Sequence, residues 1–432
     1  LGLGLSWPSS ALPALVMALA AVAAVLGASA SPVHYAWPAY HNNSQLYAEW
    51  EALATGSCSD RVKLATEDTT VDGWDLKTAS FGTGKTKVMY VFGIHGREYL
   101  GAEVGLALMR RLCEKDDPRI TKLLSDATFK LFPLMNPSGR AGNLPEKKIS
   151  GEHDEECVLR RTNANQVDLN RNFDVHWGDG ESTPGAVDYR GTAPQTEVET
   201  TLLAKAGHEF QPDLYVDVHT GAFATLTPYS YTEADTDPEE MRALMSLLGH
   251  VKDSENFTFT SLPDAGQGSQ LLYVAMGTTM DYFFEEVGTP YAYTWETYDQ
   301  ERVAMAHRLS ASEVALATRP SWTPDMPQMK AYKQRMHARL LQEGEQQKFP
   351  RSKAVADVAL QPDQAATPQL GGYGCSPGVL PDQLCDDSCF AFYNPIQQRE
   401  LEHYVNSWLE NLVKASEYVV QNPRPNRKSK QR

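Results

Sequence analysis

A histidine and a glutamate at the end of one apolar run are the residues of this chain best suited to metal chemistry. Residues 91–98 read Val-Phe-Gly-Ile-His-Gly-Arg-Glu, so that His95 and Glu98 are three positions apart. At this spacing two side chains can lie on one face of a helical turn, where an imidazole and a carboxylate can bind one metal ion. A catalytic zinc site uses three protein ligands and keeps a fourth position for water. The pair therefore predicts a third ligand elsewhere in the chain.

His219 is the preferred third ligand among the 11 histidines. It ends the β-branched run of residues 213–219, which is bounded by Pro212 and Gly221 in the manner of a strand. Open α/β sheets bind ligands just beyond the carboxyl ends of their strands. His176 remains the competing candidate, although the residues around it do not indicate a strand.

A carboxylate follows another strand-like run. Residues 290–296 read Pro-Tyr-Ala-Tyr-Thr-Trp-Glu, an aromatic and β-branched segment that ends in Glu296. A general base beside a metal-bound water is suitably a carboxylate in a partly dry pocket. A glutamate after a strand is more often an ordinary surface residue, but strand ends that carry His, His and Glu together favour a catalytic centre.

Amide and guanidinium side chains follow two further apolar segments. Asn170 and Arg171 stand side by side in the run Asp-Leu-Asn-Arg-Asn-Phe of residues 168–173. Asn136 opens the sequence Asn-Pro-Ser-Gly directly after the apolar run of residues 129–135. With these segments added, the chain resembles the zinc carboxypeptidases of the carboxypeptidase A and B type.

Five motifs between residues 95 and 296 carry this resemblance, in the family's order and at similar intervals. They are His95-x-x-Glu98, Asn136-Pro-x-Gly, Asp168-Leu-Asn-Arg-Asn-Phe, Val218-His219 and Thr294-Trp-Glu296. A further match is Tyr273, which stands eight residues before an Asp followed by an aromatic residue. The resemblance implies an enzyme that removes the C-terminal residue of peptides and proteins.

The resemblance implies a hydrolytic centre built on four of these residues. His95, Glu98 and His219 would bind one Zn²⁺ ion per chain as a His₂Glu set, with water in the fourth place. Glu296 would act as the general base that deprotonates the zinc-bound water and then passes the proton to the leaving amine. Zinc is the metal expected from the types of ligand.

Other matching residues are implied to bind the substrate. Asn170, Arg171 and Tyr273 would hold the terminal carboxylate, a task suited to the bidentate geometry of a guanidinium group. A neutral C-terminus would leave Arg171 unpaired, which is why exopeptidase action is expected. The oxyanion formed by water attack needs a further donor. Arg160 and Arg161 are both candidates, and Arg161 is preferred because its spacing matches the family's regulatory members.

Met280 occupies the position that lies, in the family, at the bottom of the pocket for the C-terminal side chain. An acidic residue there favours Lys or Arg, and an apolar residue favours hydrophobic side chains. We therefore expect a preference for apolar or aromatic C-terminal residues, although Met280 could also be ordinary core packing. Arg97 is expected at the rim of the site, with a solvated charge at a helix start as the equal alternative.

The elements that would position these residues alternate along the chain. Strands are predicted near 87–94, 127–135, 213–219 and 290–296, and helices near 98–113, 196–208 and 239–252. This alternation predicts an α/β fold in which helices flank a mixed, largely parallel central sheet. Residues 82–86, Gly-Thr-Gly-Lys-Thr, do not form a phosphate loop because Ala79 stands where the first glycine is needed and a strand follows. They predict a turn between strands.

The sequence predicts a signal segment before the catalytic domain, an insertion within it and a basic tail after it. Residues 1–30 contain an Ala-rich apolar run that ends in small residues, which indicates a secretory signal peptide or, less favoured, a membrane anchor. The catalytic domain is expected at 31–422, with an insertion at about 303–388 before a closing amphipathic helix. Residues 423–432 form a basic tail.

The composition agrees with a secreted hydrolase. A net charge of −16 argues against nucleic acid as a partner. Six cysteines in a secretory compartment indicate disulfide bonds, and the 15 possible connectivities are not resolved by sequence. After removal of the signal no membrane association is expected, and the oligomeric state stays open. The alternatives are a related zinc amidase that acts on non-standard peptides and a catalytically silent peptide-binding member of the fold.

Overall fold

The computed structural model describes residues 34–141, 160–252, 263–300 and 388–426. The predicted signal segment, almost all of the predicted insertion and the end of the basic tail lie outside these residues. None of the helices within these residues has both the length and the apolar character needed to cross a membrane.

Eight strands of the described chain form one mixed sheet. They are β1 (Val62–Thr69), β2 (Asp75–Phe81), β3 (Thr86–Phe92), β4 (Ala127–Phe132), β5 (Leu214–His219), β6 (Phe223–Thr227), β7 (Asp264–Gln267) and β8 (Tyr291–Thr297). Their order across the sheet is β1-β2-β4-β3-β5-β8-β6-β7. The pairings β3–β4, β3–β5, β5–β8 and β6–β7 are parallel, whereas β1–β2, β2–β4 and β6–β8 are antiparallel. The predicted fold class is confirmed.

Helices flank this sheet. They are α1 (Asn43–Thr55), α2 (Tyr99–Leu112), α3 (Pro118–Asp126), α4 (Pro137–Ala141), α5 (Val198–Phe210), α6 (Pro238–Lys252), α7 (Gly268–Leu271), α8 (Thr279–Tyr282), α9 (Ser388–Tyr393) and α10 (Gln398–Gln421). A π-helical turn, Phe283–Val287, continues α8, and short 3-10 turns occupy Leu169–Arg171 and Trp177–Asp179. The three predicted helices correspond to α2, α5 and α6 within a few residues.

The four strands that the sequence predicts are the four at the centre of the sheet. Residues of β5 and most of β8 and β3 are buried, so these strands read as continuous apolar runs. The two edge strands were not predicted, because β1 is largely exposed and polar, while β7 has only four residues. Residues 82–85 connect β2 to β3, so the prediction of a turn there is also confirmed.

The closing helix α10 packs against the sheet through one apolar face. Leu401, Tyr404, Val405 and Trp408 on this face are all buried. The hydroxyl of Tyr90 on β3 donates a 2.8 Å hydrogen bond to the Leu412 carbonyl of α10. The helix predicted after the insertion is therefore part of the same core as the central strands.

One disulfide bond joins Cys58, just after α1, to Cys113, just after α2. It settles one of the pairings that the sequence left open. The side chains of the other four cysteines lie outside the described part of the chain.

Candidate active site

The carboxyl ends of β3, β5 and β8 bring the predicted catalytic residues to one edge of the sheet. His95 follows β3 by three residues, and His219 is the last residue of β5. Glu296 on β8 is paired in register with His219 because β5 and β8 run parallel. His95 and Glu296 are 201 positions apart in the sequence. They nevertheless lie close to the ends of two strands that are separated in the sheet only by β5.

His95, Glu98 and His219 converge on one point. The Nδ1 atom of His95 lies 2.8 Å from Glu98 Oε1, and the Nδ1 atom of His219 lies 3.1 Å from Glu98 Oε2. The two Nδ1 atoms are 3.1 Å apart. Ligand atoms bonded to one tetrahedral zinc ion would be about 3.4 Å apart, given bonds of about 2.1 Å. The spacing and the donor types therefore fit a zinc ion with little adjustment.

The sequence spacing suggested that His95 and Glu98 lie on one helical turn, but they do not. Both residues precede α2 in a turn, where the Glu98 amide donates a 3.1 Å hydrogen bond to the His95 carbonyl. Glu98 is the N-cap residue of α2, but its side chain makes no capping hydrogen bond. The carboxylate is instead turned toward the two histidines, with Thr220 N donating to it at 3.0 Å.

Two buried aspartates orient the imidazoles from behind. Asp168 lies 3.1 Å from His95 Nε2, and Asp217 lies 2.9 Å from His219 Nε2. A carboxylate on the second ring nitrogen fixes the tautomer and leaves the first nitrogen for a metal. Neither aspartate has a role predicted from the sequence. Asp217 could have been found, because it is two residues before His219 on a strand and so faces the same side of the sheet.

Burial and neighbouring charges set the ionisation of the three groups. Burial lowers the pKa of His95, and the nearby Arg161 guanidinium lowers it further. Burial opposes the charging of His219 as well, but the carboxylates of Asp217 and Glu98 outweigh it and raise the His219 pKa. Burial would raise the pKa of Glu98, yet the two histidines hold that pKa low. Glu98 is therefore a carboxylate, the form that binds a metal ion.

Arg161 adjoins this centre. Its guanidinium forms a two-point ion pair with Asp168, at 2.9 Å from Nε and 2.7 Å from Nη2. Its Nη1 atom lies 3.2 Å from His95 Nδ1. The arginine preferred on sequence grounds thus has a donor beside the predicted zinc ligands, while two of its other donors hold the aspartate that orients His95.

Asn170, Arg171 and Tyr273 form a second polar group next to the ligands. The Asn170 amide nitrogen is 3.4 Å from His219 Nε2, and its carbonyl accepts a 2.8 Å hydrogen bond from Thr279 N. Arg171 Nη2 donates to the Tyr273 hydroxyl at 3.2 Å. Gly277, at φ +65°, lies so close to the Arg171 carbonyl that a side chain would collide with it. The structure thus brings together the three residues that the resemblance assigned to the substrate carboxylate.

A pocket extends from this group into the protein. Its lining includes Arg171, Leu226, Gly268, Leu272 and Glu296. Met280 is completely buried and packs with Leu226 and Leu272 in a small apolar cluster. A Cβ atom on Gly268 would stand 3.4 Å from the Met280 methyl group. Met280 therefore lies directly behind the pocket wall.

One expectation about another residue is wrong, and the competing ligand candidate lies elsewhere. Arg97 is neither solvated nor at a rim: it is only 3% exposed, and its guanidinium carbon lies 4.1 Å from the ring centroid of Tyr393. His176, the competing ligand, is not part of the group that could hold a metal. Its ring stacks on Tyr231 at 3.5 Å, and its Nε2 atom lies 3.2 Å from Glu285.

Comparisons with known proteins agree with this geometry. A family model described as zinc carboxypeptidase matches residues 46–319. Carboxypeptidase B of Astacus astacus is 25% identical over 61% of this chain and 88% of its own length. An inactive metallocarboxypeptidase, ecm14 of Sclerotinia sclerotiorum, is 23% identical over 56% of this chain and 46% of its own length.

A solved structure has the same fold. It is bovine thrombin-activatable fibrinolysis inhibitor in complex with tick carboxypeptidase inhibitor, which is 22% identical and has a TM-score of 0.53. The similarity covers 65% of this chain and 96% of that one. Because the family model matches more than half of the chain, the protein belongs to the zinc carboxypeptidases, which are zinc-dependent hydrolases.

Proposed function

We propose that this chain is a secreted metallocarboxypeptidase that hydrolyses the C-terminal peptide bond of peptides and proteins. The main support is the position of Asn170, whose amide lies 3.4 Å from His219, while the next residue, Arg171, contacts Tyr273. A group suited to a carboxylate thus adjoins the predicted zinc ligands. Arg171 is only 5% exposed, so a substrate that brought no anion to it would leave its charge poorly compensated.

The terminal carboxylate is proposed to bind between Arg171 and Tyr273. The guanidinium offers paired donors that match both oxygens of a carboxylate. The Tyr273 hydroxyl, now 3.2 Å from Arg171, supplies another donor. Asn170 stands between this group and His219, so its amide is suited to hold the last residue of the peptide in line with the ligands. This arrangement would fix which bond is cut.

Glu296 is proposed to act as general base. It is adjacent to His219 across the β5–β8 pairing, so its carboxylate can take a proton from the attacking water and give it to the leaving amine. When bound, zinc supplies Lewis-acid polarisation of the scissile carbonyl and lowers the pKa of water. Arg161, beside His95, is suited to stabilise the carbonyl oxygen as it becomes negative.

The pocket favours an apolar or aromatic C-terminal residue. Apart from Arg171 and Glu296, its lining side chains in the described part of the chain are apolar, amide, hydroxyl or phenol groups. Met280 behind the wall brings no charge to pair with a basic side chain. Burying a Leu or Phe side chain contributes roughly 1.5–3 kcal/mol, which corresponds to a preference of about tenfold to a hundredfold.

The organisation of the chain is proposed on sequence grounds. A signal segment at residues 1–30, a catalytic domain at 31–422 with an insertion at 303–388, and a basic tail at 423–432 agree with a protein that enters the secretory pathway. The disulfide bond between Cys58 and Cys113 supports an oxidising compartment.

The test uses purified protein and blocked dipeptides that end in Phe, Leu, Arg, Lys or Glu. We expect release of Phe and Leu that is lost when a chelator removes zinc. E296Q should lower kcat by about a hundredfold to ten-thousandfold while zinc content is unchanged. Release of only Lys and Arg would contradict the pocket assignment. Failure to release any residue from zinc-loaded protein would favour an amidase or a silent peptide-binding protein instead.

A further inference from the structure

Asn42, the residue immediately before α1, opens the sequence Asn42-Asn43-Ser44. An asparagine two residues before a serine or threonine, with any residue except proline between them, is an acceptor sequence for N-linked glycosylation. The chain has one other such sequence, at Asn256, which lies outside the described residues. Asn136 also stands two residues before a serine, but a proline lies between them and the asparagine is completely buried. Among the described residues, Asn42 is therefore the candidate acceptor.

The two residues that define this acceptor sequence face solvent, and the residue between them anchors it. Asn42 and Ser44 are exposed, whereas Asn43 is only 3% exposed. The Asn43 side-chain nitrogen donates a 2.8 Å hydrogen bond to the Pro137 carbonyl of α4. A sugar chain is bulky and hydrophilic, so it has to leave the protein surface without displacing packed residues. The exposure of Asn42 meets this condition.

The two polar atoms of the Asn42 side chain are suited to different tasks. Its Oδ1 atom accepts a 2.9 Å hydrogen bond from Gln45 N, while the Asn42 backbone N donates a 2.8 Å bond to Gln45 Oε1. These two bonds form a capping box, which satisfies backbone donors at the start of α1. Glycosylation uses the Nδ2 atom of an asparagine, which this cap leaves out. A sugar on Nδ2 can therefore coexist with a cap made through Oδ1.

The capping box accounts for Asn42 but not for Ser44. Asparagine is among the residues preferred at a helix N-cap, so the cap alone would explain its presence. Ser44 occupies the second position of α1, where its exposed hydroxyl has no hydrogen bond to any residue that the structure describes. Serine is also a weaker helix former than alanine or glutamate. The hydroxyl that completes the acceptor sequence is thus not required by the helix.

We propose that Asn42 is an N-glycosylation site, and that its Oδ1 atom continues to cap α1 when the sugar is attached. In this reaction the Nδ2 atom attacks the anomeric carbon of an oligosaccharide carried on a polyprenyl pyrophosphate. A carbon–nitrogen bond forms, the bond from that carbon to the pyrophosphate oxygen breaks, and the lipid pyrophosphate leaves. The amide nitrogen releases one of its two protons. The inference rests on secretion, which is part of the proposed function.

The first test maps the modification on the full chain secreted from eukaryotic cells. Peptide-N-glycosidase in heavy-oxygen water converts a glycosylated asparagine to labelled aspartate, which mass spectrometry of peptides locates. We expect label at residue 42 in the parent and in S44T but not in S44A, because a hydroxyl at position 44 completes the acceptor sequence. A digest without the enzyme controls for spontaneous deamidation. An unlabelled residue 42 in the secreted parent, or label there in S44A, would overturn the proposal.

Two substitutions of Asn42 test whether the cap persists beneath the sugar. Aspartate caps a helix as well as asparagine but cannot carry the sugar, whereas glutamine is suited to neither task. N42Q should unfold about 1–2 °C below S44A and N42D, which keep the cap. The parent, trimmed enzymatically to a single sugar, should unfold together with S44A. If the trimmed parent unfolded together with N42Q, or if N42Q unfolded together with S44A, the coexistence of cap and sugar would be wrong.

Failure of secretion would be a different result from failure of glycosylation. If the full chain is not secreted, the secretory part of the proposed function fails. The same chain is then expressed behind the signal peptide of a known secreted protein, and residue 42 is mapped as before. Label at residue 42 of this secreted fusion would support the inference, and its absence would overturn the inference alone.

Discussion

Two arginine–tyrosine pairs adjoin the predicted zinc ligands, and they differ in how tightly they are packed. Arg171 and Tyr273 share one hydrogen bond of 3.2 Å, and the guanidinium carbon is 5.9 Å from the ring centroid. Arg97 lies 4.1 Å from the ring centroid of Tyr393. Tyr273 is half-buried and lines the pocket, whereas Tyr393 is buried against Gly221. The first pair is loose and polar, and the second is a close guanidinium–aromatic contact.

This difference suits two tasks in binding. A polar pair at the edge of a pocket can exchange its mutual hydrogen bond for bonds to an incoming carboxylate. A closely packed pair keeps its geometry, so the arginine side chain loses its conformational entropy during folding and not during binding. On this interpretation Arg171 and Tyr273 recognise the substrate end, whereas the contact with Tyr393 fixes the Arg97 side chain in the folded protein.

The largest effect is expected from the loose pair. R171Q should lower kcat/KM for peptides with a free carboxylate by about a hundredfold or more, because it removes charge-assisted hydrogen bonds. The same change should have little effect on the slow cleavage of amidated peptides. R97Q should instead lower both rates by a similar, smaller factor. Steady-state kinetics with matched free and amidated peptides separates the two, and an equal loss with R171Q would contradict the assignment to the carboxylate.

A smaller effect distinguishes the two tyrosines. Y273F removes a hydroxyl that donates or accepts a hydrogen bond, and we expect KM to rise by about threefold to tenfold. Y393F removes only a hydroxyl and keeps the ring that contacts Arg97, so KM should change by less than about twofold. If the two phenylalanine variants gave the same KM, the contrast between a polar pair and a packed pair would be wrong.

A separate effect, on folding stability, arises in the scaffold that leads to the loose pair. Asn163, between Arg161 and Arg171, contacts the buried Glu199 of α5 at 3.4 Å. Burial, with help from Glu197, raises the pKa of Glu199 to about 7 from an ordinary 4.5. The folded state therefore keeps a proton that the unfolded state releases. The resulting stability is complete below about pH 4.5 and is lost as the pH rises through about 7.

E199Q tests this dependence. The free energy of unfolding of the parent protein should fall between pH 4.5 and pH 7.5 by up to roughly 3 kcal/mol through this group. The glutamine variant cannot ionise and should lack this fall. Urea unfolding at the two pH values measures both proteins, and an identical pH dependence would show that Glu199 is ionised in the folded state at neutral pH.

The central strands and the ligand motif were predictable because their signals are local. Buried strands such as β5 read as apolar runs, and His219 and Glu296 mark the ends of two of them. The exposed strand β1 gave no such signal, since its mixed sequence fits a loop equally well. Arg97 was misjudged for a related reason: a charged residue near a helix start is usually solvated, and its burial depends on a segment far along the chain.

The sequence alone determined which residues could take part in chemistry, their order and the strand ends on which they stand. Short-range spacing and apolar periodicity are sufficient for this, because they depend on neighbouring residues. Only the tertiary structure decided that Asp168 and Asp217 orient the histidines, that Arg161 pairs with Asp168, and that Tyr393 covers Arg97. These contacts depend on burial and on approach between distant segments, which packing of the whole chain alone establishes.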